Sequence, residues 1–272
     1  MNFFIKKIIA ILSKPNLIPV KILNKLQNIY LRNFYAREKY ENEQDKIFLK
    51  LGLSRIEGSI KLNRLKSQYS FLEKPMSSEH QNLFASISIK KNIKDILEIG
   101  TFDGVNAFLL SQLFEYSQVD TIDLDETNER FRKTYGREEA EKLKIFCEER
   151  DGILSLSKNI IFKKKNSLQL TFSDKKYDLI WIDGAHGYPF VPIDIANSLR
   201  LLKPNGIIVC DDVWQKKPMI QDQIYNSFAA FETLSTLKKA DIINFELIYK
   251  RLDKINNCNK RFRTFLAYVQ IK

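Results

Sequence analysis

Three aspartates and one histidine of this 272-residue chain have the chemistry to hold a cation and to move a proton. Asp183 ends the apolar run YDLIWID, and Asp211 and Asp212 end the later run GIIVCDD. His186 follows Asp183 by three residues. Buried runs of this kind predict neighbouring strands of a parallel sheet, which lie about 4.8 Å apart. Carboxylates gathered at the carboxyl ends of such strands raise one another's pKa unless a positive group compensates them.

A hard divalent cation is the positive group that these oxygens would select. Carboxylates without histidine or cysteine ligands favour Mg²⁺, Mn²⁺ or Ca²⁺. The sequence therefore predicts a metal site at Asp183, Asp211 and Asp212 that holds Mg²⁺ or Mn²⁺. His186, with a reference pKa of about 6.5, is predicted to be the general base beside it, with Asp183 as a second catalytic residue. The alternative is that Asp211 and Asp212 are loop and cap residues of a site that needs no metal.

The elements that must position these side chains alternate along the chain from residue 93 onward. Short apolar runs alternate with amphipathic helical stretches, which is typical of a parallel sheet covered by helices on both faces. Strands are predicted over 94–99, 118–123, 160–164, 177–183 and 206–211, and helices over 79–90, 104–115, 126–149, 189–202 and 219–237. The last two apolar runs, FELIYKRL and RTFLAYVQI, should pair as an antiparallel hairpin because no helix separates them. The predicted fold class is α/β, a doubly wound and mostly parallel seven-stranded sheet that ends in this hairpin.

The first predicted strand runs into a glycine turn that could receive a ligand. In DILEIGTFDGVNAFLLSQL, Gly100 and Gly104 lie between the strand and the start of a helix, where backbone N–H groups face a bound molecule. Turn geometry alone can also require glycine here. The loop lacks the dinucleotide fingerprint GxGxxG, and Asp103 within it would serve a pyrophosphate poorly.

Asp123 ends the second predicted strand, 19 residues after Gly104. A carboxylate at this distance in a doubly wound sheet can accept hydrogen bonds from ribose hydroxyls. Capping the following helix is the other role open to Asp123, and Asp125 could take that role equally well. Glu98 and Asp123, without a pyrophosphate loop, indicate an adenosine that carries a positive charge. That is the description of S-adenosylmethionine.

Four blocks of the sequence resemble one enzyme family, in the family's order. LEIGTFDG, the acidic end of the next strand, YDLIWIDGAH and LLKPNGIIVCDD look like the class I S-adenosylmethionine-dependent methyltransferases. Among these they resemble the bacterial metal-dependent O-methyltransferases of the catechol and macrolide-sugar type. The resemblance covers about 76 to 272 and implies a Rossmann-like domain there. It also implies that Asp183, Asp211 and Asp212 bind the divalent metal and that His186 stands where these enzymes place a lysine or histidine base.

The same resemblance assigns a cofactor pocket. The positions that match the family's methionine-binding turn and the helix start after it are Glu98, Gly100, Phe102, Gly104 and Asn106. Asp123 would hold the ribose. Asn166 and Ser167 would border the adenine, although the family often has an acid or a Gly-Asp-Ser type of sequence there. Met76 and Ser77 match the edge that closes over the cofactor.

The first 75 residues differ from the rest in charge. They hold 15 basic and 6 acidic side chains, a net charge of +9 out of the chain's +11. No acid precedes Glu38, and apolar residues at helical spacing predict two amphipathic helices interrupted at Pro15 and Pro19. The predicted domains are a basic helical region over 1–75 and a methyltransferase domain over 76–272. Residues 1–37 are a candidate for peripheral membrane contact, and packing on the catalytic domain, a homodimer interface and a solvated basic face are the alternatives.

The leading functional hypothesis is methyl transfer from S-adenosylmethionine to a hydroxyl of a small-molecule or saccharide acceptor. With 44% apolar and 28% charged residues, the composition excludes the collagenous, disordered and disulfide-scaffold classes. Three cysteines at unrelated spacings favour a cytoplasmic protein, with the inner face of the membrane as a candidate location. Two alternatives are a metal-free methyltransferase that acts on nitrogen or RNA and a non-catalytic binding module. A nucleic-acid partner is disfavoured because the charge excess lies outside the cofactor domain and DGAH is not an Asp-Pro-Pro-Tyr type of sequence.

Overall fold

The computed structural model describes residues 35–73, 78–218, 227–252 and 263–272, together with positions 26, 29, 30 and 222. The predicted helices interrupted at Pro15 and Pro19 lie outside these residues apart from three positions, and Met76 and Ser77 also lie outside them. Within the described ranges, no helix is long and apolar enough to cross a membrane. The membrane contact of the N-terminal segment stays a prediction.

Helices and strands alternate through most of the chain. The helices are α1 (Arg37–Lys50), α2 (Arg55–Gln68), α3 (His80–Lys90), α4 (Val105–Leu113), α5 (Glu129–Lys133), α6 (Ala140–Ser155), α7 (Phe190–Leu201) and α8 (Ala229–Lys239). The strands are β1 (Asp95–Ile99), β2 (Gln118–Asp123), β3 (Ile160–Lys164), β4 (Tyr177–Ile182), β5 (Leu202–Trp214), β6 (Ile243–Tyr249) and β7 (Thr264–Ile271). Short 3₁₀ helices cover Ser70–Glu73, Thr134–Gly136 and Ser167–Phe172.

The strands form one sheet in the order β3-β2-β1-β4-β5-β7-β6. β1 pairs in parallel with β2 and β4, β2 with β3, and β4 with β5. β7 is antiparallel to both β5 and β6, so the chain ends in the predicted hairpin. The predicted α/β fold class is confirmed. Because the strand order reverses between β1 and β4, a ligand crevice is expected at their carboxyl ends.

The central strands read as continuous apolar runs because helices cover both faces of the sheet. Leu179, Ile180 and Trp181 of β4 are all fully buried. Burying one such side chain contributes roughly 1.5–3 kcal/mol. The bounds of β2 and β3 are those predicted, and β1 and β4 differ from prediction by one residue each.

One predicted helix is two helices in the structure. The stretch 126–149 was expected to be continuous, but α5 ends at Lys133 and α6 begins at Ala140. Asn128 starts α5 by accepting a hydrogen bond from Arg130 N at 2.9 Å, which fixes its N-terminus independently. Between the two helices Gly136 adopts φ +68, a conformation that ends a helix.

Strand β5 is longer than predicted, because it extends on both sides of 206–211. Its register with β7 shifts at Asp211 and Asp212, and Asp212 has φ +47. This bulge turns the two carboxylates out of the regular ladder near the edge of the sheet. Of the helix predicted over 219–237, the structure shows α8 from Ala229 onward, and most of 219–226 lies outside the described residues.

Helices α1 and α2 pack on the same core as the sheet. Phe48 and Leu62, one from each helix, are buried in a cluster that also includes Trp181 of β4. Gln44 of α1 exchanges two hydrogen bonds with the backbone of Tyr249 in β6, at 3.0 and 2.9 Å. This part of the basic N-terminal region is therefore joined to the sheet, and the predicted domain boundary stays a prediction.

Candidate active site

The glycine turn after β1 lies against the end of β4. Gly100 has φ +102, and a Cβ on it would lie 2.4 Å from the carbonyl oxygen of Asp183. Gly104 has φ +77, and a Cβ on it would lie 3.0 Å from the side chain of Leu154. Packing alone thus explains both glycines. The turn predicted to hold the cofactor is nevertheless in close backbone contact with the first aspartate of the predicted metal site.

Glu98 is fully buried near the end of β1. Asn106 Nδ2 donates to its Oε1 at 2.7 Å, and Thr121 Oγ1 donates to its Oε2 at 2.5 Å. Burial outweighs these hydrogen bonds and raises the pKa of Glu98 to about 8. The carboxyl group is therefore mostly protonated at neutral pH, and a positive ligand group beside it would favour its ionisation.

Asp123 ties the end of β2 to the glycine turn. Its Oδ2 accepts a hydrogen bond from Phe102 N at 2.9 Å, and its Oδ1 accepts one from Leu124 N at 2.7 Å. Burial raises the pKa of Asp123 despite both bonds. Neither Asp123 nor Asp125 caps α5, because Asn128 does so. The helix-cap alternative for Asp123 is therefore wrong, and its ribose role stays a prediction.

Asn166 and Ser167 follow β3 at the same edge of the sheet. Asn166 Oδ1 accepts a hydrogen bond from Leu168 N at 3.0 Å and caps the 3₁₀ helix there. Ser167 forms a hydrogen bond with Asp194 of α7, and burial raises the pKa of Asp194 to about 7. Asp194 was not predicted from the sequence, because an acid in an amphipathic helix is expected to face solvent. The adenine contact of Asn166 and Ser167 stays a prediction.

The predicted catalytic and metal residues come together at the carboxyl ends of β4 and β5. His186 Nε2 lies 3.7 Å from Asp183 Oδ1 and 3.8 Å from Asp212 Oδ2. One possible ligand atom from each of Asp183, His186 and Asp211 lies within 4.8 Å of the other two. The four residues form one group, which we call the acidic cluster.

A lysine that was not predicted from the sequence contacts the acidic cluster. Lys250 Nζ lies 2.6 Å from Asp211 Oδ2 and 2.6 Å from Asp212 Oδ1. Only 5% of Lys250 is exposed. Its position follows from the topology, because β6 is antiparallel to β7 and β7 is antiparallel to β5. β6 therefore runs in the direction of β5, and the residue after it arrives at the same edge.

Burial and the neighbouring charges shift the pKa values of the acidic cluster in different directions. Burial favours neutral Asp211, but Lys250 and His186 outweigh burial and hold the pKa of Asp211 well below its usual range. Desolvation in the cleft and the negative charge of Asp211 raise the pKa of Asp183 well above its usual range. Burial lowers the pKa of His186, so its imidazole is neutral at pH 7 and can accept a proton.

The acidic cluster fits a divalent cation. Lys250 bonds to Oδ2 of Asp211, whereas Oδ1 is buried and has no hydrogen-bond partner among the described residues. Three carboxylates and one ammonium leave a net charge of −2 when all are ionised, which one divalent ion would neutralise. Ligand atoms of Asp183, His186 and Asp211 lie within 4.8 Å of one another, while Asp212 directs one oxygen to Lys250.

Comparison with known proteins identifies the domain that carries this site. Residues 97–213 match a family model described as a methyltransferase domain. The chain carries a methyltransferase domain. The matched residues include the glycine turn, Asp123 and all three aspartates of the acidic cluster. The predicted methyltransferase activity is thereby confirmed as the class of this enzyme.

Two solved structures share the fold of this methyltransferase. A candidate O-methyltransferase from Klebsiella pneumoniae is 15% identical, with 87% of this chain and 99% of that chain covered at a TM-score of 0.51. TomG from Streptomyces achromogenes, an O-methyltransferase of tomaymycin synthesis in complex with S-adenosylmethionine, is 16% identical, with 87% and 98% covered at a TM-score of 0.50. Identities this low show the fold alone. No curated protein matches the chain. Together with the family model, the shared fold confirms the resemblance to class I S-adenosylmethionine-dependent methyltransferases.

Proposed function

We propose that this methyltransferase transfers the methyl group of S-adenosylmethionine to a hydroxyl of a small-molecule or saccharide acceptor, assisted by Mg²⁺ or Mn²⁺. One observation carries the proposal: the glycine turn approaches the backbone of Asp183 so closely that only glycine fits, and Asp183 is also where the acidic cluster begins. A methyl donor bound on the turn would therefore lie beside a histidine that can accept a proton.

The cofactor side of the crevice suits a positively charged nucleoside. Glu98 is buried and would be ionised by the ammonium group of the methionine part. Asn106, whose Nδ2 donates to Glu98, would approach the methionine carboxylate. Asp123 is held in place by two backbone N–H groups and keeps lone pairs for the ribose hydroxyls. Asn166 and Ser167 would border the adenine at the end of β3.

His186 removes the acceptor proton in this proposal. The hydroxyl proton passes to Nε2, the acceptor oxygen forms a bond to the methyl carbon, and the bond from that carbon to sulfur breaks to leave a neutral thioether. The positive charge thus moves from sulfonium to imidazolium. Asp183 and Asp212, at 3.7 and 3.8 Å from Nε2, stabilise the imidazolium that forms.

Asp183 and Asp211 would hold the divalent cation, with Asp212 beside them. When bound, the cation supplies the charge that lowers the pKa of the acceptor hydroxyl and orients the acceptor oxygens. His186 cannot bind the cation through Nε2 and accept the proton there at the same time. We assign the proton to His186 because Mg²⁺ prefers oxygen ligands, and Asp211 Oδ1 has no other partner among the described residues.

The surroundings of His186 support an acceptor that contains a ring. Tyr188 follows it by two residues and is 73% exposed. An exposed aromatic side chain two residues from the proton acceptor in the chain suits stacking on a sugar ring or an aromatic ring. We further propose that the protein works in the cytoplasm, where the basic segment 1–37 could contact the inner face of the membrane.

Methyl transfer from labelled S-adenosylmethionine to panels of catechols and saccharides, with Mn²⁺ present, tests this function. Mass spectrometry should place the label on an acceptor oxygen, and His186→Ala should abolish most transfer while keeping both cofactor and Mn²⁺ binding. Loss of Mn²⁺ binding in His186→Ala would instead make this residue a ligand. Full activity in chelator would remove the cation from the proposal, and label on nitrogen would overturn the acceptor class.

A further inference from the structure

The buried ammonium of Lys250 lies between two carboxylates of the acidic cluster. It contacts Asp211 and Asp212 at 2.6 Å each, and 7% of its side chain is exposed. Lysine is almost never this buried unless it is paired. The chain therefore maintains one permanent positive charge inside the group of residues that would receive a divalent cation.

Lys250 is also fixed by its backbone. Its carbonyl oxygen accepts a hydrogen bond from Glu79 N at 2.9 Å, and its N–H donates to Thr264 O at 3.3 Å. Arg55 of α2 in turn binds the carboxylate of Glu79 at 2.7 Å. Helices α2 and α3 and strand β7 thus hold the start of the lysine side chain in place, independently of any ligand.

The oxygens that Lys250 contacts are not all the oxygens available. It bonds to Oδ2 of Asp211 and Oδ1 of Asp212. The second oxygen of Asp211 has no hydrogen-bond partner among the described residues, and the second oxygen of Asp212 lies 3.8 Å from His186 Nε2. Asp183 and His186 each offer a ligand atom within 4.8 Å of one from Asp211. The ammonium therefore contacts one oxygen of each carboxylate, and the other oxygen of each remains as a possible cation ligand.

We propose that Lys250 is a positioning residue that acts as an internal counter-ion: it keeps Asp211 and Asp212 in place before the divalent cation binds, and it limits the affinity for that cation. The inference rests on the proposed function in so far as a divalent cation binds to the cluster. Its physical basis is simple, because a fixed positive charge relieves carboxylate repulsion in the cation-free protein and repels the cation that arrives later.

Replacing Lys250 by a neutral residue tests both halves of the proposal. Lys250→Gln removes the charge but keeps a polar side chain, and Lys250→Met removes the polar group as well. In chelator, each variant should unfold at a lower temperature than the wild type, and Mn²⁺ should raise the melting temperature of the variant more than that of the wild type. Mn²⁺ affinity, measured from the electron paramagnetic resonance of free Mn²⁺, should increase on the order of tenfold or more. Lys250→Arg should restore an affinity close to that of the wild type.

Lys203→Met is the matched control. Lys203 also bridges two aspartates, Asp95 and Asp178, but at the opposite edge of the sheet. Its removal should lower the melting temperature without any increase in Mn²⁺ affinity or in stabilisation by Mn²⁺.

The outcomes separate this inference from the proposed function. If the wild type binds Mn²⁺ and Lys250→Gln binds it equally or more weakly, the counter-ion role is overturned and the proposed function stands. If neither protein binds Mn²⁺, the cation is removed from the proposed function and the counter-ion role is overturned with it. Should Lys250→Met fail to fold even with Mn²⁺, the Lys250→Gln measurement decides alone.

Discussion

Each of the two edges of the sheet, where the parallel strands begin and where they end, carries a lysine that bridges two aspartates. The two sites differ in how deeply the lysine is buried. At the amino-terminal edge Lys203 bridges Asp95 and Asp178 at 2.6 and 3.0 Å, and its side chain is 30% exposed. At the carboxyl-terminal edge Lys250 bridges two aspartates at 2.6 Å each, and its side chain is 7% exposed. The same bridging arrangement is therefore built once near solvent and once in the interior.

The two edges also differ in whether the carboxylate oxygens of their aspartates have partners and whether their negative charge is compensated. At the amino-terminal edge Asp178 also accepts hydrogen bonds from the N–H groups of Lys94 and Asp95, at 2.9 Å each. At the other edge a third carboxylate adds negative charge, and Asp211 Oδ1 has no partner in the described part of the chain. Buried charge without a partner is costly. At the amino-terminal edge the paired aspartates are explained by their contribution to stability. At the carboxyl-terminal edge the uncompensated negative charge indicates a ligand site.

The largest expected effect is on turnover, from His186 at the carboxyl-terminal edge. His186→Ala should slow methyl transfer by roughly 10² to 10⁴-fold, because the acceptor loses its general base. Steady-state kinetics with an identified acceptor measures the loss, and calorimetry checks that cofactor affinity is kept. Asp178→Asn is the matched change at the other edge, and its turnover should equal that of the wild type. An equal loss in both variants would remove the functional distinction between the edges.

Glu98 is a buried acid whose side-chain hydrogen bonds come from an asparagine and a threonine, not from a lysine. Its pKa is raised from 4.5 to about 8, so between these values the folded protein binds more protons than the unfolded chain. The free energy of unfolding of the wild type should therefore fall as pH rises through this window, by roughly 3–5 kcal/mol relative to Glu98→Gln. Urea unfolding of both proteins at pH 5 and pH 8, without cofactor, measures the difference. A pH-independent difference would show that Glu98 ionises normally.

Part of this arrangement could be predicted from the sequence. Two apolar runs that end in acids predicted that Asp183 and Asp211 meet at one edge of the sheet, because neighbouring parallel strands run in the same direction. Lys250 could not be placed by the same rule until the order of β5, β7 and β6 was known, since that order decides which edge the end of β6 reaches. The bulge at Asp212 and the separation of α5 from α6 depend on local backbone conformations that apolar periodicity does not encode.

A smaller effect is expected for Asp123, which lies at the carboxyl-terminal edge but outside the acidic cluster. Asp123→Ala should weaken binding of S-adenosylmethionine about tenfold, since it removes hydrogen bonds to the ribose. Part of any loss would come from the glycine turn, because the carboxylate also accepts the Phe102 N–H. Asp123→Asn retains one acceptor oxygen and should lose less affinity. Calorimetry on both variants decides, and an unchanged affinity in Asp123→Ala would place the ribose elsewhere.

The smallest effect is expected at the satisfied edge. Lys203→Met should lower the free energy of unfolding by about 1 kcal/mol, because partly exposed ion pairs contribute little and solvent can take over their hydrogen bonds. Chemical denaturation at pH 7 measures this change, and cofactor binding should be unaffected. Lowering the pH should reduce the effect, since Lys203 and the backbone N–H groups of Lys94 and Asp95 hold the pKa of Asp178 below its usual value, and the stability gained from that pair is lost as Asp178 is protonated. A loss several times larger would mean that the amino-terminal edge depends on its lysine as strongly as we propose for the acidic cluster.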